Sequence, residues 1–165
     1  MRTLTTLMVL ITAVSGSSAG QQLPRDGIPL AFVSAVRQIE PPETPGAWVL
    51  QVISRGGLDG RGTGDLAISS DGALTLFKSA TAASAPPGVL RSLRQFIQTT
   101  APSQWTAGSR QGLCSDCLAT LIVLTLRQSD GLLQTQTAFW DATTKGSVPA
   151  DVLRIHDLAL SLKRQ

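Results

Sequence analysis

Along most of this chain, apolar and polar positions alternate in short runs, and in two places they switch to a helical spacing. In WVLQVIS, 48–54, Trp48, Leu50 and Val52 alternate with Val49, Gln51 and Ile53, which predicts a strand covered on both faces. GDLAISS (64–70) and ALTLFK (73–78) are strand-like, with Ser70-Asp71-Gly72 as the turn between them. LATLIVLTLRQ (118–128) is a β-rich run, turned by Ser129-Asp130-Gly131 and answered by LLQTQTAFWD (132–141). In that return strand Leu133, Thr135, Thr137 and Phe139 share one side, and Leu132, Gln134, Gln136, Ala138 and Trp140 the other. The helical spacing belongs to VLRSLRQFIQ, where Val89, Leu90, Leu93, Phe96 and Ile97 form one stripe, and to the C-terminal segment. There Val152, Ile155, Leu158, Ala159 and Leu162 recur after Pro149 and Asp151, residues suited to a helix start. TAASAPPG, 81–88, is expected to be a loop of small residues, and Trp105 the anchor of another.

The resulting order, ββ(β)–α–(α)–ββ–α, predicts an α+β fold. Its expected form is a single antiparallel sheet of two hairpins, with an amphipathic central helix and a C-terminal helix packed on one face. Residues 1–20 are expected to be a signal peptide: Arg2, then the apolar run LTTLMVLITAV (4–14), then small residues allowing cleavage after Ala19 or Gly20. The run is shorter than the roughly 20 apolar residues that span a bilayer, and no cysteine follows it to carry a lipid. Residues 21–46 are expected to be a flexible N-terminal arm, because PPETPG interrupts regular structure after a stretch (28–40) that fits either a strand or a short helix. The single α+β domain is then 47–165, and export places it in the periplasm or outside the cell, with no stable membrane anchor once the leader is cleaved.

The net charge of +3 is spread among mixed charges, and removing Arg2 lowers it to +2; no basic tract points to nucleic acid or a membrane surface. Large aromatic side chains are few, so the expected core is aliphatic around Trp48, Phe77, Phe96, Trp105, Phe139 and Trp140.

The most unusual stretch is the glycine run Gly56, Gly57, Gly60, Gly62, Gly64 between two strands. GRGTG imitates a dinucleotide fingerprint, but that motif needs a helix immediately after it, and DLAIS reads as a strand. Asp59, Asp65 and Asp71 lack the spacing of an EF-hand or of a repeated calcium nonapeptide, so they read as turn residues. Arg55-Gly56-Gly57 is a single RGG without a basic groove. Cys114-Ser115-Asp116-Cys117 leads into a strand rather than a helix, which favours a structural disulfide over a redox centre. The one histidine, His156, reads as a helix-surface residue, and two cysteines alone do not complete a zinc site. Asp130 and Asp141 flank the last hairpin as turn-end carboxylates, and Glu is confined to Glu40 and Glu43 in the arm. No G-x-S-x-G, H-E-x-x-H or S-x-x-K occurs. The expectation is a binding protein with no catalytic residue, no metal and no cofactor.

ISRGGLDGRG resembles the S-G-G-F-A-G-I signature that follows the first strand of emfourin-like proteins, small protein inhibitors of thermolysin-type (M4) metallopeptidases. Gly56, Gly57 and Gly60 match the family's glycines and Leu58 its large apolar position, while Arg55 and Asp59 replace its usual small residue and Ala. The later segments follow the family's order over about 48–162; the extra Ser-Asp-Gly segment and the C-x-x-C do not belong to it. The resemblance implies an exported inhibitor of a secreted metallopeptidase, with Gly56, Gly57, Leu58, Asp59 and Gly60 as the partner-binding loop. Two arrangements of that loop fit the sequence. Leu58 projects into an apolar specificity pocket, or it folds back onto the sheet and the glycines only permit a bulge. Two other functions fit the same residues: an exported binding module for another ligand, and a thiol-disulfide protein built on Cys114 and Cys117.

Overall fold

The computed structural model describes residues 28–57, 64–77, 81–99, 105 and 117–164. One six-stranded antiparallel sheet carries the chain, in the order β4-β3-β2-β1-β5-β6. The strands are β1 (Trp48–Arg55), β2 (Leu66–Ser69), β3 (Ala73–Leu76), β4 (Thr81–Ser84), β5 (Ala119–Arg127) and β6 (Leu133–Trp140). A short helix α1 (Leu30–Val33) precedes the sheet; α2 (Pro87–Thr99) joins β4 towards β5, and α3 (Ala150–Ser161) ends the fold. The expected α+β architecture is therefore what the chain adopts, but in place of two hairpins it has a four-stranded meander, β1 to β4, and one hairpin, β5–β6. That hairpin adds along β1, with Val49 opposite Thr125 and Ile53 opposite Leu121.

The period-two pattern sorts the side chains onto two faces. On one lie Trp48, Leu50, Val52, Leu66, Ile68, Leu74, Ile122, Leu124, Ala138 and Trp140, all buried. Both amphipathic helices close this face with Leu93 and Ile97 from α2 and Val152, Ile155 and Ala159 from α3, and Trp105 completes the cluster. Each fully buried Leu or Ile here contributes about 1.5–3 kcal/mol, so this cluster is the main stabilising body of the molecule. α2 begins at Pro87, where a missing N–H costs nothing, and Leu90 N–H bonds back to the Pro86 carbonyl at 3.1 Å. Pro149, expected in the first turn of α3, caps it instead with extended backbone, one residue earlier.

The opposite face is closed by chain expected to be free. Phe32 of α1 is 4% exposed and packs with Ile53, Ala119, Leu121, Val123 and Phe139. Its ring meets that of Phe139 edge-on, at 5.1 Å between centroids. Farther along, Gln51 accepts from Arg37 N–H at 3.0 Å and donates to Arg37 C=O at 2.9 Å. Arg127 donates to the carbonyls of Pro42 (2.9 Å) and Pro41 (3.1 Å). The described part of the arm, 28–46, is thus a covering element of the sheet.

β4 is the other departure from expectation. Thr-Ala-Ala-Ser has nothing large to bury, so its pattern reads as a loop; it becomes a strand by pairing with β3, Leu74 opposite Ala83. The two Ser-Asp-Gly turns match each other in detail. Asp71 Oδ1 accepts Ala73 N–H at 3.1 Å and Asp130 Oδ1 accepts Leu132 N–H at 2.9 Å, with Gly72 and Gly131 at φ +94° and +84°.

Candidate functional site

The glycine loop leaves the sheet at the end of β1 and returns at the start of β2, so its two ends are neighbours in the ladder, with Val52 opposite Leu66. Of the five residues expected to bind a partner, Gly56 and Gly57 are described; Leu58, Asp59 and Gly60 lie outside the described residues, as does Cys114.

Three contacts fix the loop's base. The first is a bidentate pair across it: Arg55 Nη1 donates to Asp65 Oδ1 at 2.6 Å and Nη2 to Oδ2 at 2.9 Å. Arg55 Nη1 also reaches the Ser54 carbonyl at 2.7 Å, Ser54 N–H donates to Asp65 Oδ1 at 3.2 Å, and Phe77 N–H donates to the Asp65 carbonyl at 3.2 Å. The pair is partly shielded, and the Asp65 hydrogen bond raises the pKa of the already basic Arg55. Geometry of this kind, planar fork against carboxylate, gives direction as well as energy.

The second contact is steric. Gly56 sits at φ +86°, and a Cβ there would lie 2.2 Å from the backbone oxygen of Cys117. Only glycine lets the end of β1 pass so close to the chain entering β5. Gly57 also has positive φ, +81°, but a Cβ there meets nothing within 4 Å among the described residues, so what they show is a conformational requirement. Two adjacent glycines of one motif therefore have different reasons to be there. The third contact holds the return limb: Lys163, just beyond α3, donates to the carbonyl of buried Gly64, itself at φ +86°.

The loop's base is thus held from β1, the start of the return limb, the chain entering β5 and the turn after α3, and Cys117 stands beside it. Asp65 and Asp71, considered above with Asp59 as oxygen ligands, have partners inside the fold: Asp65 the Arg55 guanidinium, Asp71 the Ser69 hydroxyl and Ala73 N–H.

His156 corrects an expectation. It is 9% exposed, not a helix-surface residue, with its ring edge-on to Trp140 at 5.2 Å between centroids and Nδ1 3.1 Å from Asp157 Oδ1. Burial lowers its pKa, against the opposing pull of Asp157. It stands on the helix-covered face because α3 turns it there one residue after Ile155. Asp141, read as an ordinary turn-end carboxylate, is 2% exposed and caps the chain that follows β6. Its Oδ1 accepts the Thr143 hydroxyl (2.6 Å) and N–H (2.8 Å) and the Thr144 N–H (3.0 Å) and hydroxyl (3.1 Å). Led by the Thr143 hydroxyl, these bonds hold its pKa down to about 2.

Sequence reasoning missed the clamp itself. Arg55 and Asp65 are ten positions apart, and only the β1–β2 register makes them neighbours; the one available signal was a charge of each sign flanking the glycines. No family model, no curated protein and no solved structure matches the chain.

Proposed function

We propose that this chain is an exported, non-catalytic protein that binds a partner through the glycine loop, residues 56–60, and that the partner is a thermolysin-like metallopeptidase, which it inhibits. The observation that carries this reading is the three-way seating of the loop base by Arg55–Asp65, Gly56 against Cys117, and Lys163 on Gly64. A loop whose ends are already held loses less conformational freedom when a partner immobilises it, so more of the contact energy remains as affinity. The glycines on either side of Leu58 let the main chain approach another surface closely, and a leucine is a suitable group for an apolar specificity pocket. A Cys114–Cys117 disulfide belongs to the same proposal. The described residues contain no free cysteine, and Cys114 is the only other cysteine in the chain.

The test is the residual activity of a thermolysin-like protease titrated with the protein, wild type and Leu58→Asp. Inhibition by the wild type that weakens at least about tenfold (roughly 1.4 kcal/mol) in Leu58→Asp supports the loop as the contact. Absence of inhibition overturns the metallopeptidase as target, and full inhibition by Leu58→Asp removes Leu58 from the interface. Insulin reduction run beside it decides the thiol reading: turnover there makes Cys114 and Cys117 a redox pair rather than a structural one.

A further inference from the structure

The open sheet has two edges, and they are built differently. β4 has four residues, and Pro86, which lacks an N–H, and Pro87 follow it closely. β6 has eight residues, and the stretch 131–140 contains no charged residue and no proline. Charge, proline and brevity are the usual guards of a sheet edge, and β6 has none of them.

The hydrogen-bonding phase of β6 follows from the turn. Gln128 N–H donates to the Leu132 carbonyl at 2.8 Å, which makes Gln128 and Leu132 a bonded pair. Alternation then turns Gln134, Gln136, Ala138 and Trp140 towards β5 and leaves the N–H and C=O of Leu133, Thr135, Thr137 and Phe139 pointing away from the sheet. Among the described residues nothing takes these groups. Phe139 is buried beside Phe32, so the accessible run is 133–137, with Thr135 at its midpoint. The chain's own residues before Ile28, QQLPRDG, carry Pro24, Asp26 and Gly27, which strands avoid.

We propose that β6 is a self-association edge, on which a second copy of this chain lays its own β6 antiparallel about a two-fold axis at Thr135. In that arrangement Thr135 opposes Thr135 of the second copy, and Leu133 opposes Thr137 in both directions. Each of these pairs exchanges two backbone hydrogen bonds. Across the other face Gln134 opposes Gln136, so amide meets amide. The pattern is self-complementary and the contact closes on itself, as an isologous pair must. A strand-pair contact is smaller than the roughly 1,600 Å² of a standard stable interface, so the dimer depends on concentration.

The experiment is sedimentation of the exported form, 21–165, which contains every described element, from about 10 μM to about 1 mM, a range that brackets weak association. The expected result is a rise from monomer to dimer mass. Thr135→Lys and Thr135→Glu each put like charges opposite themselves and abolish the rise, while an equimolar mixture of the two restores it. Ser84→Lys, on the β4 edge, leaves dimerisation unchanged. A wild type that stays monomeric throughout, charge variants that still dimerise, a mixture that does not re-associate, or loss of the dimer in Ser84→Lys overturns the proposal. A readout independent of any variant is amide exchange in the wild type. The N–H groups of Leu133, Thr135 and Thr137 slow at least about tenfold between the dilute and concentrated samples. Exchange of these amides that does not change with concentration refutes the pairing.

Discussion

The two faces of the sheet are closed by different means. On one, α2 and α3 bring regular apolar stripes against regular apolar strands around Trp48, Trp105 and Trp140, with Ser54, Thr120 and His156 as buried polar side chains there. On the other, a single turn of helix and an irregular chain lie over a smaller cluster around Phe32, and two polar side chains, Gln51 and Thr125, are each 1% exposed beneath them. An irregular segment cannot satisfy its own backbone groups, so the strand does it. The Gln51 amide bonds the N–H and C=O of Arg37 much as a neighbouring strand would. A sheet face can thus be covered without a regular element if the sheet carries side chains that complete the covering chain's hydrogen bonds.

This contrast can be tested by removing one piece at a time. Leu124→Ala, in the middle of the helix-covered face, should cost most, about 3–5 kcal/mol in urea unfolding, because packed helices cannot collapse into the void. Phe32→Ala should cost less, about 2–3 kcal/mol, since a short irregular segment can readjust over the cavity. A Phe32→Ala loss equal to or above that of Leu124→Ala would erase the distinction between the faces. Gln51→Leu keeps the bulk but orphans both Arg37 backbone groups, and should cost about 1–2 kcal/mol with faster exchange of the Arg37 amide. An unchanged Arg37 amide would mean that the glutamine is not what holds the arm.

The smallest effect is on pH dependence and belongs to the helix-covered face alone. Burial puts the folded pKa of His156 below its ordinary 6.5, with Asp157 pulling upward and Lys145 and Lys163 pulling downward. In the window just below 6.5 the unfolded chain therefore binds more protons, and stability falls as pH drops through 6.5 towards the folded value. The melting temperature should decline slightly from about pH 7.5 to about pH 5.5, and His156→Leu should flatten that slope. Asp141 acts far below this range. Its stabilising effect is present above 3.8 and is lost as pH falls through about 2.

What could be read from the sequence follows the same division between the faces. Alternation located β1, β2, β3, β5 and β6, and the 3.6-residue stripes located α2 and α3, because each of these elements buries its own apolar side chains. β4 escaped because Thr-Ala-Ala-Ser is made a strand by its neighbour β3 and carries no pattern of its own. The arm escaped because Phe32 is one aromatic residue in an aperiodic stretch, and its burial depends on Phe139, more than a hundred positions away. His156 was misplaced because a lone polar residue on a helix gives no sign of which way it turns when the apolar stripe beside it is broad. At the loop, glycine composition singled out the segment, but only the pairing of β1 with β5, Arg55 opposite Ala119, brings Gly56 against the Cys117 carbonyl and leaves Gly57 without such a contact among the described residues.

The clamp at Arg55 and Asp65 has one further implication. The groups of the clamp, Arg55 and Asp65, stand outside residues 58–63, so a change of length in that segment removes neither partner. Lengthening it costs only a slowly growing closure entropy, about 0.6 kcal/mol per doubling. If this segment is the partner contact proposed above, the clamp keeps its two groups when residues 58–63 are exchanged, and the residues that choose a target are separate in sequence from those that pack the core.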